Sequence, residues 1–239
     1  MPSPPHVALI TGASGALGAE VARVLSSRGS SLAFLDTTRG KERVEKLAKE
    51  LGGACIATGD LTTPATWEEA MPRIERELGG PPSQAAFVAG AWRGGKALHE
   101  ESGDDAWRET MQANLETVHR GLRAVLPRMV ATRRGSIVVI GTRAAVQPWT
   151  SKGASAYAAS KAAVVALAQA VAAEVLEYGV RVNAVLPSTM DTPANRAAMP
   201  GADFGKWVSL GSAAGVIAFL LGDDARDVSG AAVPVYGQA

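Results

Sequence analysis

Seven short apolar runs recur along the chain: HVALIT (6–11), SLAFLD (31–36), ACIAT (54–58), AAFVAG (85–90), GSIVVIG (135–141), VRVNAVL (180–186) and AAVPVYG (231–237). Each is apolar at successive rather than alternate positions, as expected of a strand covered on both faces. Segments of helical spacing stand between them, near 16–28, 40–51, 65–78, 104–132, 155–178 and 210–221. This alternation predicts one α/β domain over 1–239, a doubly wound parallel sheet of seven strands with helices on both faces and right-handed crossovers. Gly79-Gly80-Pro81-Pro82 is the strongest break, and it fits a helix-to-strand loop.

Composition narrows the function. Hydrophobic residues are 47% of the chain and aromatics only 5%, which favours close helix–sheet packing. A net charge of +1, with Arg133-Arg134 the one dibasic step, argues against a nucleic-acid surface. Cys55 is the only cysteine, which excludes an intrachain disulfide and a thiolate metal cluster, and it reads as a packed, inert thiol. MPSPPH has no apolar core of a secretory signal. The most apolar segments, near 162–176 and 213–221, are interrupted by Gln169 and Glu174 or too short to span a bilayer. The expectation is a soluble cytoplasmic protein with a small-molecule substrate and no metal, membrane or nucleic-acid partner.

TGASGALG (11–18) follows the first strand and opens the first helix. Glycines there let backbone approach a pyrophosphate, and free N–H groups at a helix N-terminus face the anion. Spaced as Gly-x-x-Gly-x-x-Gly, Gly12, Gly15 and Gly18 all fit; spaced as Gly-x-x-x-Gly-x-Gly, the middle position is Ala16. Ser14, Ala16 and Leu17 complete the candidate cofactor-binding turn. Asp36, at the end of the second strand, can accept the adenosine ribose hydroxyls and repel a 2′-phosphate, or cap a helix with Thr37 and Thr38. NAD(H) is therefore expected over NADP(H), with Arg39 as a partial offset, and Asp60-Leu61 should reach the adenine edge.

YAASK (157–161) places a phenol and an ammonium just over one helical turn apart, on one face. A free phenol titrates near 10, and a neighbouring ammonium favours its ionised form. Tyr157 thus reads as an acid/base and Lys161 as its partner, which can also hold a nicotinamide ribose. The plain alternative is a packed Tyr beside an exposed Lys.

Together TGASGALG, Asp60-Leu61, VAG (88–90), Asn114, YAASK and VNAVLPSTMDT (182–192) closely resemble the short-chain dehydrogenase/reductase family over nearly the whole chain. The resemblance implies a Rossmann-type fold with strand order 3-2-1-4-5-6-7 and nicotinamide-dependent oxidoreduction. It also implies catalytic roles for Tyr157, Lys161 and Asn114, and a homodimer, or that dimer doubled to a homotetramer. Cofactor contacts are implied at Ala89, Gly90, Pro187, Thr189 and Thr192. The dimer would use the helices after Asn114 and around Tyr157, whose stripes Leu122, Val125, Leu126, Ala166, Ala170 and Ala173 look too wide for covering the sheet alone, though some of them must cover it. Two positions depart from the family pattern: Val88 replaces an asparagine, and Thr142 stands for the catalytic serine. A threonine hydroxyl can donate the same hydrogen bond, though its methyl group crowds the pocket; alternatively Thr142 merely caps the strand and the serine role is absent.

FVAGAWRGG (87–95), GTRAAV (141–146) and LPSTMDTPANRAAMPGADFGKW (186–207) further resemble dihydropteridine reductases. That implies NADH-dependent reduction of a quinonoid dihydropterin. Trp92, in a glycine-rich loop after the fourth strand, can stack on a pterin or pack under its loop, and 188–207 reads as a lid in which Asn195, Arg196 and Trp207 either contact substrate or pack the lid. A general carbonyl, quinone or alcohol oxidoreductase using Thr142, and a non-catalytic dinucleotide-binding module, are the alternatives. An intact Tyr157–Lys161 pair argues against the last.

Overall fold

The computed structural model describes residues 6–238, so the reading of residues 1–5 of MPSPPH lies outside the described residues. Seven strands form one parallel sheet: β1 Val7–Thr11, β2 Ser31–Asp36, β3 Cys55–Thr58, β4 Gln84–Phe87, β5 Gly135–Ile140, β6 Val180–Pro187 and β7 Ala232–Val235. Their order is β3-β2-β1-β4-β5-β6-β7. Every pairing is parallel, as the doubly apolar runs require. The chain therefore reverses direction across the sheet between β1 and β4, where ligands of such sheets bind.

The helices are α1 Ala16–Ser27, α2 Lys41–Glu50, α3 Pro64–Leu78, α4 Asp105–Met111, α5 Thr117–Thr132, α6 Ser155–Val175, α7 Pro193–Ala198 and α8 Leu210–Leu221. One face of the sheet packs against α3, α5 and α6 through Trp67, Ile74, Val118, Val125, Val164 and Val171. The other packs against α1, α2 and α8 through Val21, Leu25, Val44, Ile217 and Leu221. Pro64 opens α3 at its first turn, and Gly79 ends it with φ of 76°, so the Gly-Gly-Pro-Pro loop is built as expected. Strand side chains satisfy the last carbonyls of α8: Gln84 Nε2 donates to Leu221, Ser136 Oγ to Leu220, and Arg181 to Leu220 and Gly222.

Two expectations change. The single helix foreseen over 104–132 is α4 and α5 joined by a π turn at Gln112–Glu116, because Asn114 turns inward to bond the chain after β4. The run at 85–90 leaves the ladder after Phe87, freeing 88–90 for the site. Cys55 is 2% exposed, and burial pushes its thiol up to about 12, consistent with an inert packed residue. Among the described residues, Ser155–Tyr178 is the one helical stretch long and apolar enough to cross a membrane. It carries the Tyr157–Lys161 pair and lies on the sheet, with Val164, Ala168 and Val171 in the core.

Candidate active site

The glycine turn is folded against the chain that follows β4. Gly12 has φ of 71°, and a Cβ on it would stand 2.8 Å from Ala89 Cα. A Cβ on Gly18 would meet the Gly12 carbonyl oxygen at 2.2 Å. Gly15 is the N-cap of α1 without a side-chain cap, leaving the helix N–H groups of Ala16 and its neighbours for an anion. Leu17 anchors this end of the helix in the core. Thr11 Oγ1 accepts the Ala89 N–H at 3.2 Å and fixes the gap between the two segments. Glycines packed this closely on neighbouring backbone keep the turn tight and bare beside the free N–H groups of α1, which is what a dinucleotide pyrophosphate needs, so these residues fit that group.

Asp36 is 3% exposed, and its carboxylate bonds the glycine turn rather than the first turn of α2. Oδ2 accepts Ser14 N at 2.8 Å; Oδ1 accepts Ser14 Oγ at 3.1 Å and Thr37 N at 2.7 Å. The capping alternative is met in position only: Thr37 is the N-cap of the 3-10 turn Thr38–Gly40 that leads into α2, but neither it nor Asp36 makes a side-chain cap bond there, and Gly40 is the N-cap of α2 itself. Asp60 is exposed and accepts Thr62 N and Oγ1, which hold its carboxyl below the ordinary range. Leu61 is buried, and its carbonyl accepts the Trp67 indole N–H at 2.9 Å.

At the centre lies Tyr157, half-buried in the first turn of α6, with the Thr142 hydroxyl as the side-chain group that acts on its phenol. Thr142, in extended backbone just past β5, also donates to Pro187 O at 3.3 Å. Lys161 lies inward of the tyrosine, 5% exposed, donating to Ile140 O at 2.8 Å. Burial brings its ammonium down to about 8. Burial also pushes the Tyr157 phenol above its usual value, opposed by the Thr142 hydrogen bond. This corrects the expectation that the ammonium lowers the phenol: in the protein alone Lys161 points to a carbonyl, and burial wins.

Asn114 is 0% exposed and clamps Ala91 through both backbone groups, at 2.9 Å to the N–H and 3.0 Å to the carbonyl. Gly90 lies against this carboxamide and Lys161: a Cβ there would be 2.8 Å from Asn114 Oδ1 and 3.3 Å from Lys161 Nζ. Sequence alone presents Ser160 and Thr11 as a small spacer and a strand end. A hydroxyl at a helix position between Tyr157 and Lys161 is the signal that Ser160 offered.

The substrate side is less concentrated. Trp92 is 66% exposed and borders a cavity of about 390 Å³ with Gly94, Ala106, Thr110 and Ala154. Gly95 N donates to Gly153 O at 2.8 Å, holding this loop beside the entry to α6. Segment 188–207 is not a bare loop, since it contains α7. Thr192 caps that helix, accepting Asn195 N at 3.1 Å, and Asn195 Nδ2 donates to Met190 O at 2.8 Å. The Thr189 carbonyl accepts Val208 N at 2.9 Å. Arg196 holds Asp191 through two bonds and stacks on Phe204, which packs on Trp207. Thr192 and Asn195 thus spend these bonds inside the segment, while Pro187 borders Thr142.

A glycine cradle at the switch point, with a tyrosine, lysine and hydroxyl at the strand ends beside it, defines a Rossmann-type oxidoreductase. The chain belongs to the short chain dehydrogenase family, which it matches over residues 6–203. It is 37% identical over 190 residues to 2,3-dihydro-2,3-dihydroxybenzoate dehydrogenase of Bacillus subtilis, covering 78% of this chain and 70% of the relative. Similarity to 2,5-dichloro-2,5-cyclohexadiene-1,4-diol dehydrogenase of Sphingobium indicum is 28% identity over 244 residues, covering 97% and 94%. Among solved structures, NAD+-bound xylitol dehydrogenase superposes with a TM-score of 0.86 at 26% identity, covering 97% and 98%.

Proposed function

We propose that the chain interconverts a secondary alcohol and a ketone on a small, cyclic substrate, with NAD(H) as its cofactor. The observation that carries this reading is the Tyr157 phenol under the influence of the Thr142 hydroxyl, with Lys161 buried one helical turn on. Two hydroxyls at one point can bind one substrate oxygen, Thr142 by donating a hydrogen bond and Tyr157 by giving or taking the proton. The dinucleotide, when bound, supplies or accepts the hydride. Gly12, Ser14, Gly15, Ala16 and Gly18 would hold its pyrophosphate; Asp36, Asp60 and Leu61 its adenosine; Ala89, Gly90, Pro187, Thr189 and Thr192 its nicotinamide half. Lys161, drawn from Ile140 O toward ribose hydroxyls, would then carry its charge beneath the phenol and lower it. Relatives acting on cyclic dihydrodiols support the substrate class.

A second reading, reduction of a quinonoid dihydropteridine, is favoured by the exposed indole face of Trp92 on the cavity and by the resemblance of 87–95, 141–146 and 186–207. A screen of NADH oxidation with quinonoid dihydropterin, cyclic ketones and quinones, beside NAD+ reduction with cyclic diols, tests both. No turnover with any of them ends the oxidoreductase reading. Thr142→Ala separates the two: about a 10²-fold loss in kcat is expected on a ketone, which needs its oxygen polarised. A loss under threefold is expected on the already electron-poor quinonoid ring.

Asp36 sets the cofactor preference in this reading, with NADH used better than NADPH. Asp36→Ala should narrow that preference and cost about 1 kcal/mol of stability, because Ser14 N, Ser14 Oγ and Thr37 N, all only part-buried, lose their acceptor. Equal use of both cofactors by the unmodified chain refutes the assignment. We place the enzyme in the cytoplasm as a homodimer or homotetramer built on α5 and α6, with 188–207 closing over substrate. Ala166, Ala170 and Ala173 are exposed on α6, whereas Leu122 and Val125 belong to the chain's own core. Light scattering at micromolar concentration should give at least the dimer mass; a monomer contradicts the interface.

A further inference from the structure

We propose that the Ser160 hydroxyl is a positioning group of the active site, joining the helix that presents Tyr157 to the loop 89–91 through Asn114. Ser160 is 0% exposed. Its Oγ donates to Tyr157 O at 2.8 Å and accepts from Asn114 Nδ2 at 3.0 Å. The direction of each bond is forced. An amide nitrogen can only donate, so Ser160 accepts there and its single hydrogen goes to Tyr157. Turning the Asn114 carboxamide over would set its NH2 against the Ala91 N–H, donor against donor, so the clamp on Ala91 and the bond to Ser160 fix one another.

The arrangement joins three chain segments far apart in sequence, Ser160 bonding Asn114 and Asn114 in turn bonding Ala91. If the hydroxyl is removed, Asn114, itself fully buried, keeps an N–H with no acceptor, which favours rotation of the carboxamide away from Ala91. Gly90, which lies against both Asn114 Oδ1 and Lys161 Nζ, then loses its backing. Tyr157 stays on its helix, but its register against the loop that faces the reacting groups loosens.

Ser160→Thr and Ser160→Val have nearly the same shape and differ by the hydroxyl, so their comparison reads that oxygen alone. In the protein without cofactor, the Ala91 amide should exchange with solvent deuterium at least tenfold faster in Ser160→Val than in Ser160→Thr. In the working enzyme, Ser160→Val should lower kcat about tenfold relative to Ser160→Thr, with both KM values within twofold. That difference should vanish in an Asn114→Ala background. Equal Ala91 exchange in the two variants, or a kcat difference that survives Asn114→Ala, overturns the proposal. Should both β-branched variants fail to fold, Ser160→Ala against the unmodified chain makes the same comparison. The kinetic part rests on the oxidoreductase reading, but the exchange measurement does not. A chain inactive on every substrate defeats that reading alone, and unaltered exchange in an active enzyme defeats this one alone.

Discussion

Tyr157→Phe is expected to lower kcat on a ketone by 10²–10⁴-fold, about 3–5 kcal/mol of barrier, while NADH binds within a few-fold of normal. The phenol is the group on which the Thr142 hydroxyl acts, and phenylalanine removes its proton while keeping the ring. Cofactor affinity measured by fluorescence titration, beside steady-state turnover, separates the two effects. A quinonoid substrate gives a different result, because a sufficiently electron-poor ring takes hydride first and a proton from water afterwards. On it the variant should be only mildly impaired. Full activity on every accepted substrate would remove Tyr157 from the chemistry.

Lys161→Met should abolish most activity and yet make the protein without cofactor more stable at neutral pH. Burial lowers the ammonium to about 8 from its ordinary 10.5, so the folded chain binds fewer protons than the unfolded chain between those values. Stability therefore rises with pH through that window, and the cost of burying the charge, about 3 kcal/mol, is fully present below it. The hydrogen bond to Ile140 O returns about 1 kcal/mol of this, so a net gain of about 2 kcal/mol is expected from the substitution. For a chain of this size that is about 4–8 °C in Tm at pH 7, shrinking toward zero or below by pH 10. A Tm that falls at pH 7, or a gain independent of pH, would show that Lys161 is not strained in the folded protein.

The pattern of apolar runs made the fold legible because a parallel sheet buried on both faces leaves no freedom for alternation, and the strand order followed from the family resemblance. Tyr157 and Lys161 were legible as a pair because helical spacing alone places them on one face. What escaped depended on contacts between distant segments. Nothing local in MQANLE announces a π turn, which arises only once Asn114 meets Ala91. The upward shift of the phenol was hidden for the same reason, since it depends on how deeply α6 is buried and which oxygen Lys161 finds. Leu122 and Val125 looked like surface stripe because sequence shows which residues are apolar but not which neighbour covers them. Asp36 was legible as a carboxylate closing the second strand, but its grip on Ser14 needs the turn and the strand end side by side.

The contact between Gly12 and Ala89 has a consequence for the lifetime of the protein. The two residues are brought together only when β4 has docked beside β1, so a partly folded chain has no pyrophosphate cradle and a dinucleotide engages the finished fold alone. Such a ligand draws the population toward that fold, by about 2.7 kcal/mol at a hundredfold excess over Kd. Starvation for the dinucleotide would then expose the chain to proteolysis, and its abundance would follow the supply of the molecule it consumes.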